Sequence, residues 1–327
     1  MAVLVTGATG FVGTWLVREL VRRGEEVRVL HRKSSSLLDL DGLSFSSRLG
    51  DICDPESLRE AVSGTDTVFH LAGVVGYSKA MRALMYDVNV RGTRNVVEAM
   101  QHAPNARLVY MSSVVAVGAS FDGTPLNENS PFNLSHLDLG YFETKREAEA
   151  LVIAAHRHGK VDCVIVNPST IYGAADAKKG SRKTQLKVAQ GKFPFYTSGG
   201  VSIVSVHDVV AAVLKAREVG RSGERYILSG ENISIHDLFS RIARIAGSKP
   251  PHIYMPNMLV RALGKTGDIL ERHGRRGPIN TENAWTSILF HWFDHQKATR
   301  ELGFNPRPAE EALVESVAWM RQNGLLK

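Results

Sequence analysis

Short apolar runs alternate with periodic stretches of mixed polarity through the first two thirds of the chain. The runs are rich in β-branched residues and have the length of strands that are buried on both faces. They lie at residues 3–5, 27–30, 67–71, 107–111 and 161–166. The stretches between them space their apolar residues as helices do, at residues 10–23, 54–63, a longer segment ending near 100, and 140–158. This alternation predicts an α/β fold with a doubly wound parallel sheet.

The pattern changes after Gly173. Glycine, proline and lysine are frequent from there to residue 200, and strand-like and helix-like segments follow. We therefore predict one domain over residues 1–173 and a smaller, mostly helical domain over residues 174–327, with residues 203–229 returning to the first sheet. Open parallel sheets bind ligands at their carboxyl edge, so the smaller domain is expected to cover that edge.

The composition suits a soluble globular enzyme. Of 327 residues, 43% are hydrophobic and 22% are charged, which is enough for one large or two modest cores. The chain begins with an apolar run and a glycine turn instead of a basic signal-peptide region. It has no run of about eighteen apolar residues, so neither a membrane span nor a membrane partner is expected. Two cysteines, Cys53 and Cys163, indicate a reducing, cytoplasmic compartment.

Basic residues outnumber acidic residues by 40 to 33, which gives a net charge of +7. The excess is spread along the chain, in Arg22 and Arg23, Arg32 and Lys33, residues 178–187 and residues 272–276. A solvated basic surface is one interpretation, and a phosphate-bearing cofactor is another. Nucleic acid is not an expected partner, because no basic cluster is interleaved with the aromatic residues that stack on bases.

A glycine-rich turn, TGATGFVG, follows the first predicted strand and contains Gly7, Gly10 and Gly13. Its G-x-x-G-x-x-G spacing is one residue longer in the first gap than the G-x-G-x-x-G dinucleotide fingerprint. Glycines allow the backbone to approach a ligand closely, and the next helix directs its N-terminus at a pyrophosphate. A purely structural turn is the alternative. The position between a strand and a helix favours a Rossmann domain that binds a dinucleotide.

The end of the second predicted strand, VRVLHRK, bears on which dinucleotide binds. An NAD site has an acidic side chain there to accept from the ribose 2′-hydroxyl, whereas this chain has His31, Arg32 and Lys33. Arg32 can form charge-assisted hydrogen bonds to a 2′-phosphate. The sequence therefore predicts NADPH or NADP as the cofactor, with NAD less favoured. A solvent-facing basic turn is the alternative.

In the segment GYFETKREAE, Tyr141 and Lys145 are four residues apart and share one face of a helix. The charged neighbours, Glu149 among them, also fit an exposed surface helix, which is the alternative interpretation. The pair follows an apolar strand that ends in Ser112 and Ser113. That strand end lies at the edge where a dinucleotide on the glycine turn would present its nicotinamide, so the context favours a catalytic pair.

Seven short motifs follow one another along the chain. They are TGATGFVG at 6–13, GD at 50–51, HLAG at 70–73, NVRGTRNV at 89–96, YMSS at 110–113, YFETK at 141–145 and NPSTIYG at 167–173. Their order and spacing resemble those of extended short-chain dehydrogenases/reductases, the NAD-dependent epimerase/dehydratase superfamily. The resemblance covers essentially the whole chain and is strongest to the dihydroflavonol-reductase-like branch.

The resemblance implies roles for individual residues. Tyr141 is expected to be the general acid during reduction, and Lys145 and the oxidised cofactor are expected to favour its phenolate. Lys145 would also bind the nicotinamide ribose. Ser113 would orient the substrate oxygen, with Ser112 as the second candidate. Asn89 fits either a family role or simple helix packing. No metal ligand is predicted.

Cofactor contacts are implied along the carboxyl edge of the sheet. Asp51 and Ile52 would flank the adenine, Ala72 would line the channel, and Pro168 and Thr170 would face the nicotinamide. The full implied set is Gly7, Thr9, Gly10, Phe11, Val12, Gly13, Arg32, Lys33, Asp51, Ile52, Leu71, Ala72, Gly73, Tyr141, Lys145, Pro168 and Thr170.

The substrate half decides among reactions that share these catalytic residues. Sugar-nucleotide members of the family usually carry a basic residue before the H-D-V segment, but TSGGVSIVSVHDVV has none between Tyr196 and His207. Lys179, Arg182 and Lys183 leave another route to a diphosphate open. Apolar pocket walls would suit an uncharged hydrophobic compound; the candidates are Val74, Val75, Tyr77, Val114, Val115, Tyr172 and residues 193–196.

We therefore predict an NADPH-dependent reductase of a hydrophobic ketone or aldehyde. A sugar-nucleotide epimerase or dehydratase that uses NAD is the first alternative. A non-catalytic dinucleotide-binding protein is the second, and the presence of Ser113, Tyr141 and Lys145 together argues against it. The expected partners are a small-molecule carbonyl substrate and, as a candidate assembly, a second copy in a homodimer.

Overall fold

The computed structural model describes residues 2–177, 182–275, 277 and 279–326. Its strands are β1 (Ala2–Thr6), β2 (Glu26–His31), β3 (Ser46–Leu49), β4 (Thr67–His70), β5 (Arg107–Met111), β6 (Asp162–Pro168), β7 (Thr170–Tyr172), β8 (Phe195–Tyr196), β9 (Gly200–Ser205), β10 (Arg225–Leu228), β11 (Glu231–Ser234), β12 (Ile253–Tyr254) and β13 (Phe290–His291). Its α-helices are α1 (Phe11–Arg22), α2 (Pro55–Val62), α3 (Arg82–Met85), α4 (Gly92–Ala99), α5 (Gly140–Arg157), α6 (Lys183–Ala189), α7 (Val206–Val219), α8 (Ile235–Ala246), α9 (Asn257–Arg272), α10 (Thr281–Ile288), α11 (Gln296–Leu302) and α12 (Ala309–Gln322). A π-helical segment, Tyr86–Arg91, joins α3 to α4.

Seven strands form one parallel sheet, in the order β10, β6, β5, β4, β1, β2, β3. The chain adds β2 and β3 on one side of β1 and then crosses to the other side with β4. The strand order therefore reverses between β1 and β4. Doubly wound sheets bind their ligands at such a switch point, outside the carboxyl ends of the strands. The predicted doubly wound α/β fold is confirmed.

Helices cover both faces of this sheet, and most of its strands have apolar residues at their inner positions. In β1, Val3 and Val5 pack into a core cluster with α1 and α7, whereas Leu4 between them packs into a second cluster with α2, α4 and α5. Successive side chains of a strand point to opposite faces, so a strand between two helical layers needs an unbroken apolar run. The edge strand β3 is exposed at all four residues, which explains why the hydrophobic pattern does not predict it.

A second, smaller sheet lies in the C-terminal part of the chain. There β9 pairs with β7, β11 and β13, and α8 and α12 pack on it around Tyr172, Ile203 and Leu313. Of the segment expected to return to the large sheet, α7 and β10 lie on that sheet, whereas the end of β9 lies in the smaller one. The predicted domain boundary at residue 173 stays a prediction. Within the described residues, no helix is both long and apolar enough to cross a membrane.

Candidate active site

The turn between β1 and α1 leaves no room for side chains. Gly7 has a φ of +74°, and a Cβ atom there would lie 2.6 Å from the backbone nitrogen of Ala72. A Cβ atom at Gly13 would lie 2.2 Å from the carbonyl oxygen of Gly7. Gly10 precedes α1, whose first turn has no acidic residue. The turn therefore fits a pyrophosphate, which the free N–H groups and the dipole of the helix would bind.

A chain of hydrogen bonds fixes the end of β4 beside this turn. The amide of Ala72 donates to Thr6 Oγ1 (3.4 Å), and the Thr6 hydroxyl donates to His70 Nδ1 (2.8 Å). The Thr93 hydroxyl donates to the carbonyl of Asn89 (2.6 Å), so it accepts from His70 Nε2 (3.0 Å). Burial lowers the pKa of His70 to about 3. His70 is therefore a neutral structural link, a role that its place in the HLAG motif does not by itself reveal.

Asn89 holds the loop that follows β4. Its Oδ1 accepts from the amide of Val74 (2.8 Å), and its Nδ2 donates to the carbonyl of the same residue (2.9 Å). Asn89 lies in the π-helical segment, and π-helical turns occur often at functional sites. The amide packs a helix against the channel-lining loop of Leu71, Ala72 and Gly73, so it acts on that loop through Val74.

A surface cleft of about 550 Å³ lies between the carboxyl ends of β2 and β3. Its lining residues are Arg32, Lys33, Ser34, Leu49, Gly50, Asp51 and Asp54. The carboxylates of Asp51 and Asp54 accept from backbone amides (2.9 and 3.2 Å). Across residues 2–177, 182–275, 277 and 279–326, neither Arg32 nor Lys33 forms an ion pair. The cleft thus combines two unpaired cations with the predicted adenine-flanking Asp51.

Ser113 and Tyr141 meet at the carboxyl end of β5. The Ser113 side chain accepts from the amide of Val115 (3.4 Å) and caps a short 3-10 turn. Tyr141 lies in the first turn of α5 and is 9% exposed. Burial and the nearby Tyr77 raise the pKa of Tyr141, and a hydrogen bond with Ser113 offsets part of that rise. The Ser112 hydroxyl is buried without a hydrogen-bond partner among the residues described.

The pKa of Tyr141 shifts in the opposite direction to the one expected from Lys145. The sequence predicts that Lys145 favours the phenolate, but burial dominates in the protein alone and the phenol keeps its proton. The ammonium of Lys145 donates to the carbonyl of Met111 (3.0 Å) and lies 5.1 Å from the ring centre of Tyr110. Burial lowers the pKa of Lys145 to about 8, although Glu149 opposes the shift. A protonated phenol one helical turn from this amine suits a proton donor.

Glu149 lies one helical turn beyond Lys145 and is 3% exposed, so it does not belong to a charged surface. It accepts from Asn167 Nδ2 (2.7 Å) and forms an ion pair with Arg225 (3.0 Å). Asn167 Nδ2 also donates to the carbonyl of Ser113 (3.0 Å). Glu149 therefore fixes the backbone that carries Ser113. The i, i+4 spacing after Lys145 is the sequence signal that points to it.

Tyr141 packs into an apolar cluster. The cluster includes Met85, Leu139, Phe142 and Leu289, with Val74, Tyr77, Val115 and Trp285 partly buried against it. The rings of Tyr77 and Tyr141 lie edge to face, with their centres 6.0 Å apart. Three of the predicted pocket residues, Val74, Tyr77 and Val115, therefore lie together beside Tyr141.

The other predicted pocket residues lie elsewhere. Val114 packs in a separate cluster with Phe293, because consecutive residues of a 3-10 turn point about 120° apart. Tyr172, Phe193 and Tyr196 belong to the core on the smaller sheet. Val75 and Phe195 are exposed, at 57% and 38%. These residues lie outside the apolar cluster around Tyr141, and their place in the lining of a substrate pocket stays a prediction.

The remaining predicted cofactor residues lie near the switch point or at the same sheet edge. Thr9 is in the glycine turn, and Phe11 and Val12 begin α1. Ile52 directly follows the cleft residue Asp51 and is buried. Pro168 ends β6 and Thr170 begins β7. Among the residues described, no three or more His, Cys, Asp and Glu side chains are grouped as metal ligands.

Comparisons with known proteins agree on the family. The model of the NAD dependent epimerase/dehydratase family matches residues 3–229. Sterol demethylase protein B of Methylococcus capsulatus is 34% identical over 100% of both chains. A putative dihydroflavonol 4-reductase of Synechocystis sp. is 33% identical over 99% of this chain and 95% of its own length.

Solved structures share the fold over the full length. The crystal structure of gox2253 has a TM-score of 0.89 and 36% identity, covering 100% of this chain and 99% of that one. A nucleoside-diphosphate-sugar epimerase from Pseudomonas aeruginosa, PA4631, has a TM-score of 0.81 and 25% identity, again over 100% and 99%. Both reductase-named and epimerase-named proteins are therefore similar to this chain.

Glu149→Gln is expected to change the pH dependence of turnover. Without the carboxylate, less opposes the desolvation of Lys145, so its pKa falls below about 8. The limb of the kcat/KM profile that reports Lys145 then moves to lower pH. Breaking a buried ion pair lowers the free energy of unfolding by roughly 3–5 kcal/mol. A smaller decrease is expected here, because the Arg225 side chain is 23% exposed. Chemical unfolding measures that loss.

Glu147→Gln is the matched control, because Glu147 is an exposed residue of the same helix. It should change neither the profile nor the free energy of unfolding. A folded Glu149→Gln variant whose pH profile coincides with that of the unmodified enzyme would remove Glu149 from this positioning role.

Proposed function

The chain belongs to the NAD-dependent epimerase/dehydratase family of extended short-chain dehydrogenases/reductases, and from this premise we propose that it is an NADPH-dependent reductase of a hydrophobic ketone or aldehyde. The family predicted from the motifs is confirmed, and its relatives include a dihydroflavonol-reductase-like protein. The chain is an NAD(P)-dependent oxidoreductase that acts on alcohol and carbonyl groups. Cofactor choice, direction and substrate class are the proposal.

One observation carries the proposal: a phenol that burial keeps protonated lies in an apolar cluster beside a serine hydroxyl. The cluster around Tyr141 is built of apolar and aromatic side chains. Arg182 and Glu282 act on the buried phenol of Tyr77 in this cluster, and the carboxylate of Glu282 is paired with Arg82 (3.0 Å). Pockets with apolar walls and a few polar groups bind largely apolar ligands and orient them through those groups. A hydrophobic carbonyl compound is the ligand that this arrangement supports best.

Each residue of the site has a separate role in the proposed reduction. When bound, the cofactor supplies hydride from the nicotinamide to the carbonyl carbon. Ser113 donates a hydrogen bond to the substrate oxygen and orients it, and Tyr141 delivers the proton to that oxygen. Lys145 binds the nicotinamide ribose, and its positive charge stabilises the phenolate that remains after proton transfer. Glu149 keeps the Ser113 backbone in place.

The cleft at the end of β2 supports NADPH over NADH. Arg32 and Lys33 have no carboxylate partner among the described residues, and each would gain a charge-assisted bond to a 2′-phosphate. The position that accepts the 2′-hydroxyl in NAD enzymes is occupied by a cation instead of an acid.

The basic residues near the smaller sheet give little support to a sugar-nucleotide substrate. Arg182 lies over the ring of Tyr172 (3.9 Å), 3.4 Å from Asp176, and donates to the carbonyl of Ile171. Asp176 therefore opposes the charge of Arg182, although burial raises the pKa of Asp176 and Arg182 Nε is buried without a hydrogen-bond partner among the described residues. Lys183 is exposed at the start of α6, and Lys179 lies outside the described residues. A diphosphate would have to displace Asp176 from Arg182.

Arg32→Ala should weaken NADPH binding and leave NADH binding nearly unchanged. A hydrogen bond to a charged group contributes about 1.5–3 kcal/mol, so the Kd for NADPH should rise roughly 10- to 150-fold. Fluorescence titration with both cofactors measures it. Arg59→Ala, an exposed arginine on α2, is the control. Equal losses for NADPH and NADH would remove the main support for NADPH.

Tyr141→Phe should keep the fold and cofactor binding and lower kcat by roughly 10²–10⁴-fold, the usual contribution of a positioned proton donor. The ring stays in the apolar cluster, so the free energy of unfolding should change little. Stopped-flow measurement of NADPH oxidation separates the chemical step from binding. Turnover close to that of the unmodified enzyme would show that another group donates the proton.

The substrate class is tested by two parallel measurements with saturating cofactor. A panel of hydrophobic ketones and aldehydes should oxidise NADPH, and calorimetric titration with UDP should show little heat. Micromolar UDP binding that is lost in Lys183→Ala, an exposed and structurally tolerant position, would overturn the reductase proposal in favour of a sugar-nucleotide enzyme. Loss in Arg182→Ala as well would assign the diphosphate to that pair.

A further inference from the structure

Helix α9 buries one side and exposes the other. Its buried residues are Val260, Gly264 and Gly267. A Cβ atom at Gly267 would lie 1.7 Å from the carbonyl oxygen of Ile279, so the inner side lies directly against the chain that leads into α10. On the outer side, Met258 is 81% exposed. Among the described residues, the outer side of α9 therefore has no large covering partner at Met258.

Apolar side chains are concentrated on that outer side and beside it. Ile269 is three helical turns from Met258 and on the same face, with 55% of its surface exposed. Strand β12, which immediately precedes the helix, exposes two more apolar residues, and its partner β8 exposes one. We call these residues the apolar ridge: Phe195, Ile253, Tyr254, Met258, Leu259 and Ile269. Clusters of this kind mark interaction sites more often than isolated exposed residues do.

The acidic and basic residues of α9 differ in their surroundings. Both acids bind the protein: Asp268 accepts from the amide of Thr281 (3.0 Å) and pairs with Lys79 (3.8 Å), and Glu271 accepts from the hydroxyl of Ser78. The bases are exposed, and none has a carboxylate partner among the residues described; they are Arg261, Lys265 and Arg272. The guanidinium of Arg261 also lies over the ring of Trp285 (4.6 Å). The outer side is therefore apolar and positive, which complements a surface that is apolar and negative.

The ridge lies next to the candidate active site. Ser78 and Lys79, which bind the acids of α9, directly follow Tyr77 in the chain. Asn280 donates to the carbonyl of Tyr77, and the Tyr77 ring contacts Tyr141. A surface bound to α9 would thus be close to the apolar cluster in which the carbonyl substrate is proposed to bind.

We propose that the apolar ridge and its three bases dock on the surface of an anionic phospholipid bilayer, from which the hydrophobic substrate reaches the active site. Apolar side chains enter the interface while lysine and arginine extend their charges to the lipid phosphates. The sequence predicts no membrane partner because it has no apolar run long enough to span a bilayer. A helix that binds to the bilayer surface does not need such a run. The substrate part of this inference rests on the proposed function; the docking part does not.

A second copy of the chain fits this side less well. In a two-fold dimer the same patch meets itself, so Arg261, Lys265 and Arg272 of both copies would be brought together without a carboxylate to compensate them. An anionic lipid surface supplies that compensation.

Vesicle sedimentation tests the docking. The complete enzyme is mixed with phosphatidylcholine vesicles and with vesicles that also contain phosphatidylglycerol. Binding should rise with the phosphatidylglycerol fraction and fall with added salt. Met258→Asp combined with Ile269→Asp should weaken partitioning roughly tenfold or more, because two apolar anchors are lost and two negative charges are added. Lys265→Glu combined with Arg272→Glu should abolish the preference for phosphatidylglycerol.

Leu38→Asp is the matched control, since Leu38 is also 81% exposed but lies in a 3-10 turn outside the ridge. It should bind vesicles as the unmodified enzyme does. No binding to phosphatidylglycerol vesicles, or an equal loss in Leu38→Asp, overturns the proposal. Dimers that dissociate in the Met258→Asp, Ile269→Asp variant without any vesicle binding would assign the ridge to a second copy and would also overturn it.

The two proposals fail separately. Vesicle binding is measured without substrate, and reduction of small, water-soluble carbonyl compounds is measured without vesicles, where the ridge variants should match the unmodified enzyme. Vesicle binding without carbonyl reduction would contradict the proposed function alone. Carbonyl reduction without vesicle binding would contradict the docking alone.

Discussion

The active site depends on how α5 places two charged residues inside the protein. Lys145 and Glu149 are 6% and 3% exposed, and a buried charge is tolerated only when it is paired or hydrogen-bonded. Glu149 is satisfied by Arg225 at the edge of the sheet and by Asn167 on β6. Because Asn167 also binds the Ser113 backbone, satisfying this carboxylate determines where Ser113 lies relative to Tyr141. The catalytic geometry is therefore a consequence of burying Glu149.

The cofactor side of the cleft is fixed by a different, uncharged set of bonds. The contact between Gly7 and Ala72 is made by backbone alone, so it needs an external constraint to keep the two loops in register. Thr6, His70 and Thr93 supply it through hydrogen bonds in which every donor has an acceptor. A buried polar network stabilises a unique arrangement when it is fully satisfied and is costly when it is not. These hydrogen bonds therefore hold in register the two loops that would line the cofactor channel.

The hydrophobic pattern predicts the elements whose burial is local in sequence. Strands enclosed by helices are apolar at most inner positions, and the turn at Gly7 must lack a Cβ atom, so both are visible in the sequence. The spacing along α5 places Glu149 one turn from Lys145, but it cannot reveal the partner of Glu149, because Arg225 is 76 residues away. The same limit applies to the pocket. Val114 and Val115 are adjacent and equally apolar, yet they pack into different clusters.

The net charge of +7 does not by itself indicate where anions bind. Cations that are paired with carboxylates must first be distinguished from those that are not. Arg22 and Arg23 share Glu19 (2.7 and 2.9 Å), and Arg23 also pairs with Glu218 (3.1 Å), so two carboxylates face these two cations. The bases in the β2 cleft and on α9 have no such partner in the described parts of the chain. Their charges are screened beyond about 8 Å at physiological ionic strength, so each group acts on the molecule that lies directly against it. Both groups of bases would bind phosphate. The bases in the β2 cleft would bind the phosphate of the cofactor, and those on α9 would bind the phosphates of lipid headgroups.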